Sequence, residues 1–184
     1  KKFSTGLDYF DGALGGEGLT PSCVTLFTGT PGAGKTTMML GMADSITKKG
    51  GICLFNTAEE SLYQIAMTTQ RLKLKNGFVT GNTDDVKALI AGARKIMEKK
   101  ANKGKQFVMV VDSLQCLDDG KYSSGVKTSE CLRHRRTDSV VVDISSSCIW
   151  VRLDLRQLLK FQHRNLAALI RLDGTRKTKP SLIF

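Results

Sequence analysis

Three groups of residues in this chain have the types and spacing of phosphate chemistry. The first is Gly29-Thr30-Pro31-Gly32-Ala33-Gly34-Lys35-Thr36, with Thr37 behind it, which matches G-x-x-x-x-G-K-[ST] at every specified position. In such a loop the glycines permit a sharp backbone turn, and the amides at the following helix start, with about half a unit of positive dipole charge, face the phosphate oxygens. Lys35 then reaches the β- and γ-phosphates and the Thr36 hydroxyl holds Mg2+. The second group is Glu59-Glu60. One of these carboxylates either polarises a water for attack on the γ-phosphate or merely favours the positive N-terminus of the next helix. The third is Asp112, which ends an apolar run as a magnesium-site carboxylate does, or caps the turn that follows.

Each group needs an element to carry it. Cys23-Val24-Thr25-Leu26-Phe27-Thr28 reads as a buried parallel strand before the loop. Met38, Met39, Leu40, Met42, Ala43 and Ile46 supply the apolar positions of a helix after it; Gly41 weakens that helix, and Lys48-Lys49-Gly50-Gly51 ends it. Ile52-Cys53-Leu54-Phe55-Asn56-Thr57 is a second buried strand delivering Glu59, followed by a helix with an apolar stripe of Leu62, Ile65, Ala66, Thr69 and Leu72. Phe78-Val79 marks a short third strand. Val86, Leu89, Ile90, Ala93, Ile96 and Met97 have the clearest helical period in the chain, and the basic run from Lys99 to Lys105 closes that helix as a solvated loop. Phe107 to Val111 is the strand that delivers Asp112.

Bulk properties narrow the classes. A chain of 184 residues, 41% apolar and 24% charged, is expected to form one soluble α/β domain over residues 1–184. No apolar run approaches the roughly 20 residues that span a bilayer, and the start has no secretory pattern. The chain begins Lys1-Lys2-Phe3 without Met, and reads as a fragment or a trimmed chain. Five cysteines without a C-x-x-C pair and only two histidines argue against zinc, and a cytoplasmic setting is expected. The net charge of +11 is uneven: residues 1–124 carry 16 Lys and Arg against 12 Asp and Glu, and residues 125–184 carry 12 against 5. Such a surface either meets nucleic-acid phosphates or is simply solvated; no interleaved aromatic pattern supports base stacking.

Taken in order, Ser4-Thr5-Gly6-Leu7-Asp8, Leu14-Gly15-Gly16, the loop at 29–36, Ala58-Glu59-Glu60-Ser61-Leu62 and Val110-Val111-Asp112-Ser113-Leu114-Gln115 resemble the ATPase core of the RecA superfamily. In particular they resemble the RadA/Sms branch of bacterial DNA repair and recombination proteins, over about residues 3 to 116. The resemblance implies a RecA-like P-loop α/β fold with a mainly parallel sheet flanked by helices. It also implies Mg2+-dependent hydrolysis of ATP, with Glu59 as the water-activating base and Thr36 and Asp112 at the metal. DNA, single-stranded in particular, is the implied effector, and the implied assembly is a homo-oligomeric ring or filament in which a neighbouring subunit completes the site. The alternatives are a helicase-type or circadian-clock-type ATPase of the same fold, or a nucleotide-binding module without turnover.

The sequence departs from that branch in several places. The branch's zinc-finger segment is not present before residue 3, its Pro-Gly-Ser turn reads Pro21-Ser22-Cys23, and beyond about Ser124 neither its DNA-binding loop nor its Lys-Asn-Arg-Phe-Gly element is recognisable. Residues 125–184 hold 8 of the 10 arginines. They read either as a strongly divergent half or as the product of a shifted reading frame. Within them Gly125 to Leu132 is a candidate helix start, Val140 to Ile144 and Cys148 to Val151 are candidate strands, and Leu153 to Ile170 is a candidate basic amphipathic helix. Arg133, Arg135 and Arg136 are candidates for DNA or subunit contact, or an exposed basic turn.

Overall fold

A computed structural model describes residues 2–21, 24–29, 32–113, 116–118, 148–154, 168–172 and 181–183. The apolar runs that precede the chemistry-bearing residues are strands: β1 (Val24–Gly29), β2 (Ile52–Thr57), β3 (Val79–Gly81) and β4 (Phe107–Asp112). Further along come β5 (Cys148–Asp154), β6 (Ala168–Leu172) and β7 (Ser181–Ile183). They form one seven-stranded sheet in the order β3-β2-β4-β5-β1-β6-β7, with every pairing parallel except β6 with β7. The α/β architecture expected from the sequence is therefore the one observed.

The helices are α1 (Asp8–Ala13), α2 (Lys35–Lys48), α3 (Leu62–Arg71) and α4 (Val86–Glu98). Because side chains alternate along a strand, β2 and β4 feed two cores. Cys53, Phe55, Val108 and Val110 join Phe27 and the buried face of α2 on one side of the sheet, whereas Leu54, Phe107, Met109 and Val111 meet Val86, Leu89 and Ala93 of α4 on the other. Burial on both faces explains why these strands read as near-continuous apolar runs rather than alternating ones. α2 runs unbroken through Gly41, since its face of Met39, Leu40, Met42, Ala43 and Ile46 is buried and outweighs a propensity loss of about 1 kcal/mol.

The segment before β1 is held by one carboxylate. Asp11 accepts from the Thr5 amide (2.8 Å), the Thr5 hydroxyl (2.7 Å) and the Ser4 hydroxyl (2.5 Å), and Lys49 at the end of α2 donates to Ser4 (2.8 Å). Phe3 and Leu19 pair backbone to backbone in both directions. Gly18 permits this approach, because a Cβ there would overlap the Phe3 carbonyl oxygen.

Two expectations need correction. The stripe on α3 holds at Ile65, which is buried, and at Leu72, which packs partly buried against the same core, while Leu62 is 46% exposed and Ala66 is also exposed. A short helix anchored at Ile65 and at its C-cap Leu72 does not have to bury the rest of its stripe. The span 153–170 is not one helix: Leu153 and Asp154 end β5, and Ala168 to Ile170 begin β6. Both strands flank β1, and a pairing so distant in sequence leaves no local signature. Ser22, Cys23, Leu114, Gln115, Gly125 to Leu132, Arg133, Arg135, Arg136 and Val140 to Ile144 lie outside the described residues. Among the described residues no helix is long and apolar enough to cross a membrane.

Candidate functional site

The parallel registers bring three strand ends to one edge. Thr57 of β2 is opposite Asp112 of β4, and Gly29, the last residue of β1, is opposite Asp154 of β5, which in turn lies beside β4. Open parallel sheets present ligand crevices at the carboxyl ends of their strands, and all three chemistry-bearing groups leave the sheet there.

Past Gly29, Thr30 and Pro31 lie outside the described residues. Gly32 (φ 77°) and Gly34 (φ 82°) adopt left-handed conformations that side chains resist, and a Cβ at either would meet nothing within 4 Å. The backbone here borders open space rather than packing. Gly34 is the N-cap of α2 and offers no side chain to the amides of the first turn, which includes Lys35, Thr36 and Thr37. A helix start that is not capped from within suits an anion. Lys35 is 4% exposed and Asp112 is 1% exposed, and the Thr36 hydroxyl donates to Asp112 Oδ2 at 2.7 Å. This last contact joins residues 76 positions apart. It brings together two hard oxygen donors, a hydroxyl and a carboxylate, which is the donor chemistry that Mg2+ takes. The residues present therefore fit that metal.

Glu59 is exposed in the turn after β2, at the same edge. Ser61, not either glutamate, caps α3: its hydroxyl accepts from the Gln64 amide and the Gln64 side chain accepts from the Ser61 amide. The hydrogen-bond cap of α3 is thus a Ser-x-x-Gln box that needs neither glutamate. The turn is restrained instead by its neighbours. Ala58 N–H donates to the Asp112 carbonyl (2.8 Å). The Thr57 hydroxyl accepts from Glu60 N–H (2.9 Å) and donates to the Glu60 carbonyl (2.8 Å), and the Asn82 amide donates to the carbonyls of Thr57 (3.0 Å) and Glu60 (3.2 Å). Thr57 and Asn82 were not among the residues singled out from sequence. Their one signal is the polar pair Asn56-Thr57 closing an apolar strand.

No family model matches the chain. Among curated proteins it is similar to the DNA repair protein RadA of Haemophilus influenzae, 36% identical over 120 residues that cover 63% of this chain and 23% of that protein. RadA of Escherichia coli is 35% identical over 116 residues (63% and 23%), and RadA of Rickettsia bellii 32% over 136 residues (72% and 28%). The chain thus spans about a quarter of the length of these relatives. Among solved structures it is similar to a DnaB-like replicative helicase described with its primase interactions (TM-score 0.67, 12% identity, 93% of this chain and 52% of that one). A second such neighbour is a solved ATPase domain (TM-score 0.63, 14% identity, 93% and 75%). At such low identity these two speak to the fold alone. The chain therefore shares the α/β fold of these two solved structures and is similar in sequence to RadA over the aligned residues.

Proposed function

We propose that this chain is the core of an ATP hydrolase acting in DNA repair or replication, binding ATP through residues 29–37. The observation that carries the reading is the 2.7 Å contact between Thr36 and Asp112, at the edge where the Glu59 turn also emerges. Lys35 and the first-turn amides of α2 neutralise charge on the β- and γ-phosphates. Thr36 and Asp112 would hold Mg2+, which when bound supplies charge neutralisation at the phosphate oxygens. Glu59 orients the attacking water and accepts its proton.

The similarity to the DNA repair protein RadA supports DNA as the effector; its single-stranded form, and a homo-oligomer in which a neighbouring copy contributes to the site, are what the resemblance of the sequence to the RecA superfamily implies. The net charge of +11 suits a polyanion. Phosphate release by the purified chain, with and without single-stranded DNA at low and moderate salt, tests the proposal. Turnover stimulated by DNA and weakened by salt is the expected result. Nucleotide binding without turnover in every condition would reduce the reading to a binding module, and stimulation by a protein but not by DNA would favour the circadian-clock-type alternative.

A further inference from the structure

We propose that Asn82 is a positioning residue for the Glu59 turn, an inference that rests on the reading of Glu59 as the base. Residues 58–60 belong to no helix or strand, and a water-orienting carboxylate needs its backbone held to within a fraction of an ångström. Asn82 supplies a single amide group that spans the turn, donating to the carbonyl of Thr57 before it and to that of Glu60 within it. Asn82 comes from the other side of β2, just past the edge strand β3, so the restraint is tertiary.

Asn82 is itself held in place. Asn56, fully buried in β2, donates to the Thr83 carbonyl (2.8 Å) and accepts from Thr83 N–H (3.2 Å), so both ends of its amide are spent on the residue next to Asn82. Gly81 on the other flank gives way to the same side chain, because a Cβ there would sit 2.8 Å from Asn56 Oδ1. The same segment then reaches the chain that follows Asp112: Asp118 N–H donates to the Asp84 carbonyl (2.6 Å), and Val86 N–H to the Asp118 carbonyl (3.0 Å). Residues 82–86 therefore touch both the turn that carries Glu59 and the segment leaving the Asp112 strand. A polar buried Asn in an apolar strand has this clamp as its physical reason.

The test is a double-mutant cycle in the whole chain. Single-turnover ATP hydrolysis, binding of a fluorescent ATP analogue and thermal melting are measured for wild type, Asn82→Ala, Glu59→Gln and the double variant. Asn82→Ala is expected to slow hydrolysis by about 10- to 100-fold with nucleotide affinity within about twofold of wild type. In the Glu59→Gln background it is expected to cause no further slowing, because the residue it positions is already inactive. Asn82→Asp, which keeps the volume and removes the N–H donor, serves where the alanine variant does not fold. An unchanged hydrolysis rate, or the same fold-loss in both backgrounds, overturns the positioning role while leaving ATP hydrolysis intact. Absence of hydrolysis by wild type overturns the proposed function itself, and the positioning role with it.

Discussion

Lys35 is an ammonium withdrawn almost completely from water, on a loop whose glycines border open space. A buried ammonium is kept charged by anionic neighbours, and the phosphate proposed for this loop would be one of them. Lys35→Ala is expected to abolish turnover, and Glu59→Gln to keep nucleotide binding while slowing hydrolysis; steady-state phosphate release together with equilibrium binding checks both. Normal turnover in Glu59→Gln would move the base to Glu60 or elsewhere. A second residue-scale expectation concerns Cys53, which is buried in β2, where desolvation pushes its thiol well above the ordinary 9.0. The folded chain then keeps a proton that the unfolded chain releases above about pH 9. This contribution to stability is complete below that pH and is lost as pH rises beyond it. In the native state iodoacetamide should label the partly exposed Cys116 and spare Cys53 until denaturant is added, as read by peptide mass mapping.

Among the elements, the segment before β1 shows how a short helix survives. α1 has only six residues and no side-chain cap, so its own hydrogen bonds do not sustain it. It is retained by Phe10, which stacks on Phe27 at 5.7 Å between ring centres, and by Asp11, whose carboxylate accepts three hydrogen bonds from residues 4 and 5. Asp11→Ala would strand a buried amide and a buried hydroxyl at about 1–3 kcal/mol each, so a loss of at least about 2 kcal/mol is expected in urea unfolding. The period of α4 was legible because it is long and one-sided. The α3 stripe was only partly so, because a ten-residue helix can be held by Ile65 and a capping box.

At the scale of the molecule, β1 leads into the proposed phosphate loop, and among the described residues it pairs with β5 and β6. The last third of the chain, which has no recognisable motif, therefore supplies both neighbours of the strand that matters most. A chain ended at residue 124 should lose cooperative thermal unfolding, measured by far-ultraviolet circular dichroism, because β1 would present two unpaired edges. A sharp transition in that shortened chain would mean that β1 finds other partners.

Sequence alone was enough for the strands leading to the 29–36 segment, to Glu59 and to Asp112, and for the α/β class, because these depend on local chemistry: apolar runs and the residues that end them. It left undecided whether Asp112 faces the loop or caps a turn, and tertiary structure places its carboxylate against the Thr36 hydroxyl. It was silent on Thr57, Asn56 and Asn82, whose hydrogen bonds join segments up to 27 residues apart. It misread part of 153–170, where helix-like spacing lost to pairing with a strand more than a hundred residues earlier. Local pattern reports what a residue prefers; only the closed sheet decides which distant backbone it meets, and that decision sets the geometry of the site.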